Sequence, residues 1–241
     1  MRVRSRLAVS LSVVLLSAAA SAQDCAAPEG ATGGVSQQSA QERLAFLARV
    51  VGPEAKSLKA WTLGWGGAYG LLTVAQLAAV GPTEPEARVD WYVGAFTSLV
   101  GMAFVIAAPV EAMEHGEDFV ERAGRATPEN TCALIAEGER LVKDGAAKEA
   151  FGTAWYSHAA NVAFNVAVGL FLWLGFDRMV PGLINFGLGT ALGEGTIFSQ
   201  PTGLVDAWDA YRAGAKPQAV HFRFTPVVRP GVYGLAFGLS F

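Results

Sequence analysis

Residues 154–176 read AWYSHAANVAFNVAVGLFLWLGF, a stretch without Asp, Glu, Lys or Arg. It is long enough to cross roughly 30 Å of hydrocarbon as a helix. Two periodicities compete in it. Val162, Phe164, Val166, Val168, Leu170, Leu172, Leu174 and Phe176 alternate with Ala163, Asn165, Ala167, Gly169 and Gly175, as on a lipid-facing strand. His158, Asn161 and Asn165 instead fall three and four apart. A helix gathers these three on one face, whereas a strand sets His158 opposite the two asparagines. The polar residues therefore favour a helix.

Three more stretches behave alike. Ala60 to Val80 and Trp91 to Val110 carry no charge, and Met179 to Leu204 carries only Glu194. Small residues recur four apart at Gly66/Gly70, Gly94/Ser98, Gly189/Gly193 and Gly187/Ala191/Gly195, a spacing that lets apolar helices approach closely. Leu71 to Val80 and Ala103 to Val110 are Ala-rich or continuously apolar instead of alternating and show no strand period. The expectation is an all-α integral membrane protein with about four transmembrane helices at 60–204 and an outward connector at 111–153. An outer-membrane β-barrel is the alternative.

Composition agrees with lipid as solvent. The chain is 52% hydrophobic and 16% charged, against about a quarter charged in soluble domains. Residues 1–22 have a basic start at Arg2, Arg4 and Arg6, an apolar run, and the small-residue end Ala20-Ser21-Ala22, the layout of a cleaved signal peptide. Export to an oxidising compartment makes Cys25 and Cys132 an expected disulfide. With four spans both cysteines and the C-terminus share the translocated side, so the cell envelope, and its inner membrane before its outer, is the expected location. The positive-inside rule does not add support, because only Arg88 and Arg178 fall on the inner side. A net charge of −3 without a basic cluster excludes nucleic acid as partner. Membrane lipid, a second copy or another envelope protein remain.

Between the signal and the first span, residues 23–59 read as a flexible leader and a short amphipathic helix from Glu42 to Gly52, broken by Pro53. Thr131 to Gly152 and Gly203 to Ala213 read as amphipathic helices lying on the outer face of the bundle. No second soluble domain is expected. The tail at 205–241 changes period: Val220, Phe222 and Phe224 form one strand, Pro226 to Gly231 a turn, and Tyr233 to Phe241 a second strand. That last strand, aromatic at alternate positions and ending on Phe241, resembles the closing strand of outer-membrane β-barrels, a resemblance confined to the final strand.

Ionisable groups within apolar spans are costly and mark candidate sites. His158, Asn161, Asn165 and Glu194 form the expected polar centre, holding a small ligand, relaying a proton or clasping two helices. Loss of ligand binding on Glu194→Leu would favour the first role, and a change in stability alone would favour the clasp. A second set, His115, His158, Glu111 and Glu114, has metal-ligating chemistry but no recognised ligand spacing. A bis-histidine haem on His115 and His158 is the third functional alternative, an integral-membrane metal or haem enzyme. No Gly-flanked nucleophile occurs, and Gly64 to Gly67 lack the Lys and Ser/Thr of a phosphate cradle. The aromatic residues, Tyr69 among them, read as an interfacial belt. The expected role is therefore structural or ligand-binding, without cofactor and without catalysis.

Overall fold

The computed structural model describes residues 25–106 and 110–214, together with the backbone of 221–229 and 232–240. The signal at 1–22 and the terminal Phe241 lie outside the described residues. The chain opens on α1 (Ala40–Val80). Ser39 and Glu42 cap it reciprocally, Ser39 N–H donating to Glu42 Oε2 at 2.8 Å and Glu42 N–H to Ser39 Oγ at 3.3 Å. At 41 residues it is roughly 60 Å long.

Pro53 does not end α1, against the expected break. A mid-helix proline costs about 3 kcal/mol through a missing donor and a ring clash. Packing on both sides of it holds the helix: Val51 and Ala55 are buried against Gly116 of α3 (Glu111–Ala123). A Cβ on Gly116 would stand 2.7 Å from Ala55 Cβ, so the two helices meet nearly backbone to backbone.

The two halves of α1 face different surroundings. Leu44, Leu47, Val51 and Leu58 are buried in protein. Further along, Leu63, Leu71 and Val74 are 67%, 71% and 64% exposed. The exposed apolar half packs along one side against α2 (Arg88–Ile106). Its outward side, with Leu63, Leu71 and Val74, is bare. With α5 (Trp155–Phe176) and the region of α2, α1 is one of three helices among the described residues long and apolar enough to cross a membrane. α6 (Met179–Phe198) is a long helix antiparallel to α5, but its five glycines, Asn185 and Glu194 dilute its hydropathy. The apolar stretches are thus helices, which removes the β-barrel alternative.

The other half belongs to a packed helical core that the sequence reading did not foresee. The first half of α1, α3, α4 (Thr131–Gly152) and α7 (Gly203–Arg212) surround one core. Leu47, Phe119, Ile135, Leu141, Leu204 and Tyr211 are among its fully buried large side chains. α4 and α7 are not interfacial: their apolar stripes face protein, because a core is there to receive them. Neither is the leader from Cys25 loose. Val35 is fully buried, Thr32 N–H donates to the Arg212 carbonyl, and Arg43 reaches the carbonyls of Cys25 and Ala26 at 2.9 and 2.7 Å. Arg43 also donates to Tyr211 Oη at 3.0 Å and to Glu139 at 2.6 Å, in a nearly buried cluster. Removing one partner of such a cluster leaves an uncompensated charge, which is why it fixes the leader. Cys25 and Cys132 are disulfide-bonded.

α7 depends on a carboxyl from another helix. Glu149, fully buried on α4, accepts the Leu204 and Val205 N–H groups through Oε2 at 2.9 and 3.2 Å. These are first-turn donors that a helix leaves unsatisfied. Oε1 has no hydrogen-bond partner. Burial therefore dominates and, with the negative charges of Glu54 and Asp206 adding to it, pushes the Glu149 carboxyl up to about 8 in spite of the two N–H donors.

Downstream, β1 (His221–Arg229) pairs antiparallel with β2 (Val232–Ser240). Pro226 is paired with Leu235 inside the ladder, not in the turn as expected. Each strand of a two-stranded ribbon has a free edge, where a residue without an N–H is tolerated.

Two outcomes follow for the packed domain. Cys25→Ser with Cys132→Ser frees a loop of sequence separation 107 and lowers unfolding free energy by about 4–5 kcal/mol. Thermal unfolding of the purified variant measures this, and a shift too small to resolve would mean that the Arg43 cluster alone holds the leader. Between about pH 4.5 and 8 the folded Glu149 keeps a proton that the unfolded chain releases, so stability falls as pH rises through that window and levels off above it. Glu149→Gln should flatten the profile and raise the melting temperature at pH 8.

Candidate functional site

α5 and α6 form a hairpin turned by Asp177, the one non-glycine residue of positive φ among those described, at +57°. A short polar side chain tolerates that left-handed position better than an apolar one. Near the turn the two backbones touch: a Cβ on Gly182 would lie 2.5 Å from the Gly169 carbonyl oxygen. Arg178, just past the turn, pairs with Asp90 of α2. One of the two inner-side cations of the sequence reading is therefore neutralised.

The face carrying His158, Asn161 and Asn165 meets the glycine face of α6. A Cβ on Gly189 would come within 2.0 Å of Asn165 Oδ1, and one on Gly193 equally close to Asn161 Oδ1. Both pairs share a four-residue spacing, so the carboxamides lie in register in the notches that the glycines leave. Asn161 Nδ2 donates to Glu194 Oε1 at 2.9 Å and to the Thr190 carbonyl at 3.1 Å. Asn165 Nδ2 donates to Asn161 Oδ1 and to its carbonyl, both at 2.9 Å. His158 Nδ1 meets Glu194 Oε2 at 2.5 Å, and its ring lies 5.0 Å from that of Phe198. All four expected site residues thus share one hydrogen-bonded chain, with both carboxylate oxygens of Glu194 engaged.

A cavity of about 300 Å³ opens beside this chain, walled by α1, α2, α5 and α6. Most of its lining is apolar or aromatic, with Phe104, Phe164, Leu192 and Ile197 prominent. Polar groups enter at Tyr69, Ser98, Asn161, Asn165 and Thr196. His158 and Glu194 are not among the lining residues, so only the asparagines of the expected centre reach it. Tyr69 is not part of an interfacial belt. It is 7% exposed, lies over Gly101 and shares a 2.9 Å hydrogen bond with Thr196. Its position well inside the apolar half of α1, away from either end, was the available signal. Ser98 was read only as a small packing residue paired with Gly94, and Thr196 was missed because an isolated hydroxyl carries no pattern. Trp61 and Trp65, whose Nε1 atoms donate to Ser199 Oγ at 3.2 and 2.8 Å, tie α1 to the end of α6.

The second expected set is not brought together. His115, exposed on α3, has Glu114 at 4.0 Å, Glu111 pairs with Arg140, and His158 is engaged on α5. Among the described residues no three His, Cys, Asp or Glu side chains converge as a metal site. Comparison with known protein families, curated proteins and solved structures gives no match.

Glu194→Leu should strip the acceptors from His158 and Asn161 and lower the melting temperature, at a cost of about 1–3 kcal/mol for the unsatisfied donors. It should leave the cavity wall unchanged. Gly193→Leu should destabilise more, because it expels Asn161 from its notch. Thermal unfolding in detergent ranks the two variants, and a neutral Gly193→Leu would contradict the register described above.

Proposed function

We propose that this chain is an exported, four-span membrane protein that binds a small, largely apolar molecule between its two helical hairpins. One observation carries the reading: a cavity walled by α2, α5 and α6 with Tyr69 of α1 and Phe151 of α4, apolar over most of its surface, with hydroxyl and carboxamide groups converging on it. Ligand sites are typically of this kind, concave and apolar with a few placed polar groups, in the range ~300–1,000 Å³. Asn161, Asn165, Tyr69 and Thr196 would orient the ligand. His158 and Glu194 act as the clasp that holds α5 on α6, which corrects their expected place at the ligand.

α6 is the fourth span in this reading. It runs back along α5 over 20 residues, about 30 Å of rise, and its polar groups point to protein. The cleaved signal then leaves the packed domain, its disulfide and the C-terminal hairpin on the translocated side of the inner membrane. Asn161, Asn165, Ser98 and Thr196 supply neutral donors and acceptors at the wall, suited to orienting a ligand.

Native mass spectrometry of protein extracted gently from membranes tests this. A bound small molecule at one per chain, lost in Ala160→Trp and in Val100→Trp, is the expected result; both positions line the cavity. Wild-type protein without any bound mass, or one that both variants retain, would overturn the proposal.

A further inference from the structure

Which of the cavity's donors and acceptors are still open to a ligand decides what the cavity can hold. No Asp, Glu, Lys, Arg or His is among its lining residues. A charged ligand would lose its hydration there without meeting an opposite charge. Hydroxyl and carboxamide groups remain, and nearly all of their protons are already committed within the protein.

Asn161 spends its two N–H donors on the Thr190 carbonyl and on Glu194. Asn165 spends both of its own on the carbonyl and Oδ1 of Asn161. Every partner of these amide nitrogens is an acceptor, so the network fixes which way each carboxamide points. Thr196 Oγ1 donates to the Leu192 carbonyl at 2.9 Å, which makes the phenol the donor in the Tyr69–Thr196 bond. Ser98 donates to Gln76 Oε1 at 3.0 Å. Thr97 and Ser157 donate to the carbonyls of Gly94 and Phe151, both at 2.8 Å. Tyr156, which is 41% exposed, carries the one lining hydroxyl without such a bond among the described residues. A ligand acceptor inside the cavity gains a bond only by breaking one of these. A ligand donor adds a bond and breaks none.

One acceptor stands open. Asn165 is 4% exposed, and its Oδ1, over Gly189, receives no hydrogen bond from the described residues. The side-chain atoms that are both unpartnered and sealed off, among the described residues, are Gln38 Oε1, Glu149 Oε1, Thr190 Oγ1 and Arg212 Nε. Asn165 Oδ1 is not one of them, so its lone pairs reach open space, and the space that Asn165 lines is the cavity. A carboxamide oxygen on so buried a side chain calls for a donor.

We propose that the ligand is an uncharged apolar molecule bearing a hydroxyl, an alcohol or a phenol, which donates its proton to Asn165 Oδ1. This assignment rests on the ligand-binding reading above and names its ligand class. Phe104, Phe164, Leu192 and Ile197 take the apolar body. An acid, a ketone or an ester brings an oxygen that the inner wall does not pair, and an ammonium ion brings a charge that it does not neutralise.

The test uses full-length protein in lipid nanodiscs and a ten-carbon primary alcohol bearing a diazirine in its chain. Irradiation and peptide mapping should place the label on 160–165 and 189–197, and Ala160→Trp should remove it from there. Competition with unlabelled decanol, decyl methyl ether, decanoate and decylammonium, compared at equal concentration in the membrane, then ranks the head groups. Decanol should compete at about a tenth of the concentration that the ether needs, the scale of one hydrogen bond, and neither ion should match it. The near-isosteric Asn165→Leu should bring alcohol and ether to parity; the wild-type ranking stands as a test whether or not that variant folds. An ether or an ion that competes as well as decanol, or label confined to outward residues such as Leu63, Leu71 and Leu174, would overturn the proposal. An alcohol preference that survives Asn165→Leu would overturn the role of Asn165. If native mass spectrometry still shows a bound molecule lost in Ala160→Trp when the ranking fails, the ligand-binding reading stands and the hydroxyl assignment falls. If neither signal depends on Ala160, both fall.

Discussion

One helix whose two halves have different surroundings, the first enclosed in protein and the second apolar and exposed, is the constraint on which the rest of the structure depends. α1 runs unbroken through Pro53, so whatever packs around its first half is rigidly coupled to whatever packs around its second. Over Ala40 to Leu58 the apolar side chains are covered by α3, α4 and α7, as in a water-soluble domain. From Leu63 to Val74 they are exposed on the outer side, where an aqueous protein would bury them. Hydrophobic burial therefore stabilises the first half, whereas van der Waals packing and internal hydrogen bonds hold together the second. The disulfide, the Arg43 cluster and the Glu149 cap all belong to the first half, where long-range connections have to be fastened against water.

In the apolar half one device recurs: a polar side chain from one helix lies over a glycine of the next. Asn161 and Asn165 meet Gly193 and Gly189, Tyr69 meets Gly101, and Gln76 meets Gly94. Missing Cβ atoms let the backbones approach until a carboxamide or phenol can reach across. Gln76 then accepts from Ser98 Oγ at 3.0 Å, just as Tyr69 pairs with Thr196. Each buried donor or acceptor so satisfied avoids a desolvation penalty that lipid cannot relieve. Between the α1–α2 and α5–α6 hairpins the contacts are sparser, and the cavity occupies that seam.

Much of this was legible in the sequence, for local reasons. The spacing of His158, Asn161 and Asn165 placed them on one helix face, and the repeat of Gly189 and Gly193 anticipated the surface they meet. Pairing of Cys25 with Cys132 followed from the compartment that the export signal implies. What sequence could not show depended on distant residues. Pro53 reads as a breaker until Gly116 brings α3 against its neighbours. Leu204 and Tyr211 read as headgroup-level anchors until a core exists to cover them, and the leader reads as loose until Arg43 captures its carbonyls. The cavity was invisible for the same reason, since its wall is assembled from α2, α5 and α6 with one residue each from α1 and α4.

The most direct measurement is spin-label accessibility along α1. The native disulfide leaves no free cysteine among the described residues, so single cysteines at Lys56, Ser57, Leu63, Leu71 and Val74 can be labelled in reconstituted protein. Relaxation by a water-soluble nickel chelate should dominate at Lys56 and Ser57, and relaxation by oxygen, which concentrates in lipid, at Leu63, Leu71 and Val74. Equal nickel access at all five positions would show that α1 lies in a single solvent and would contradict the account.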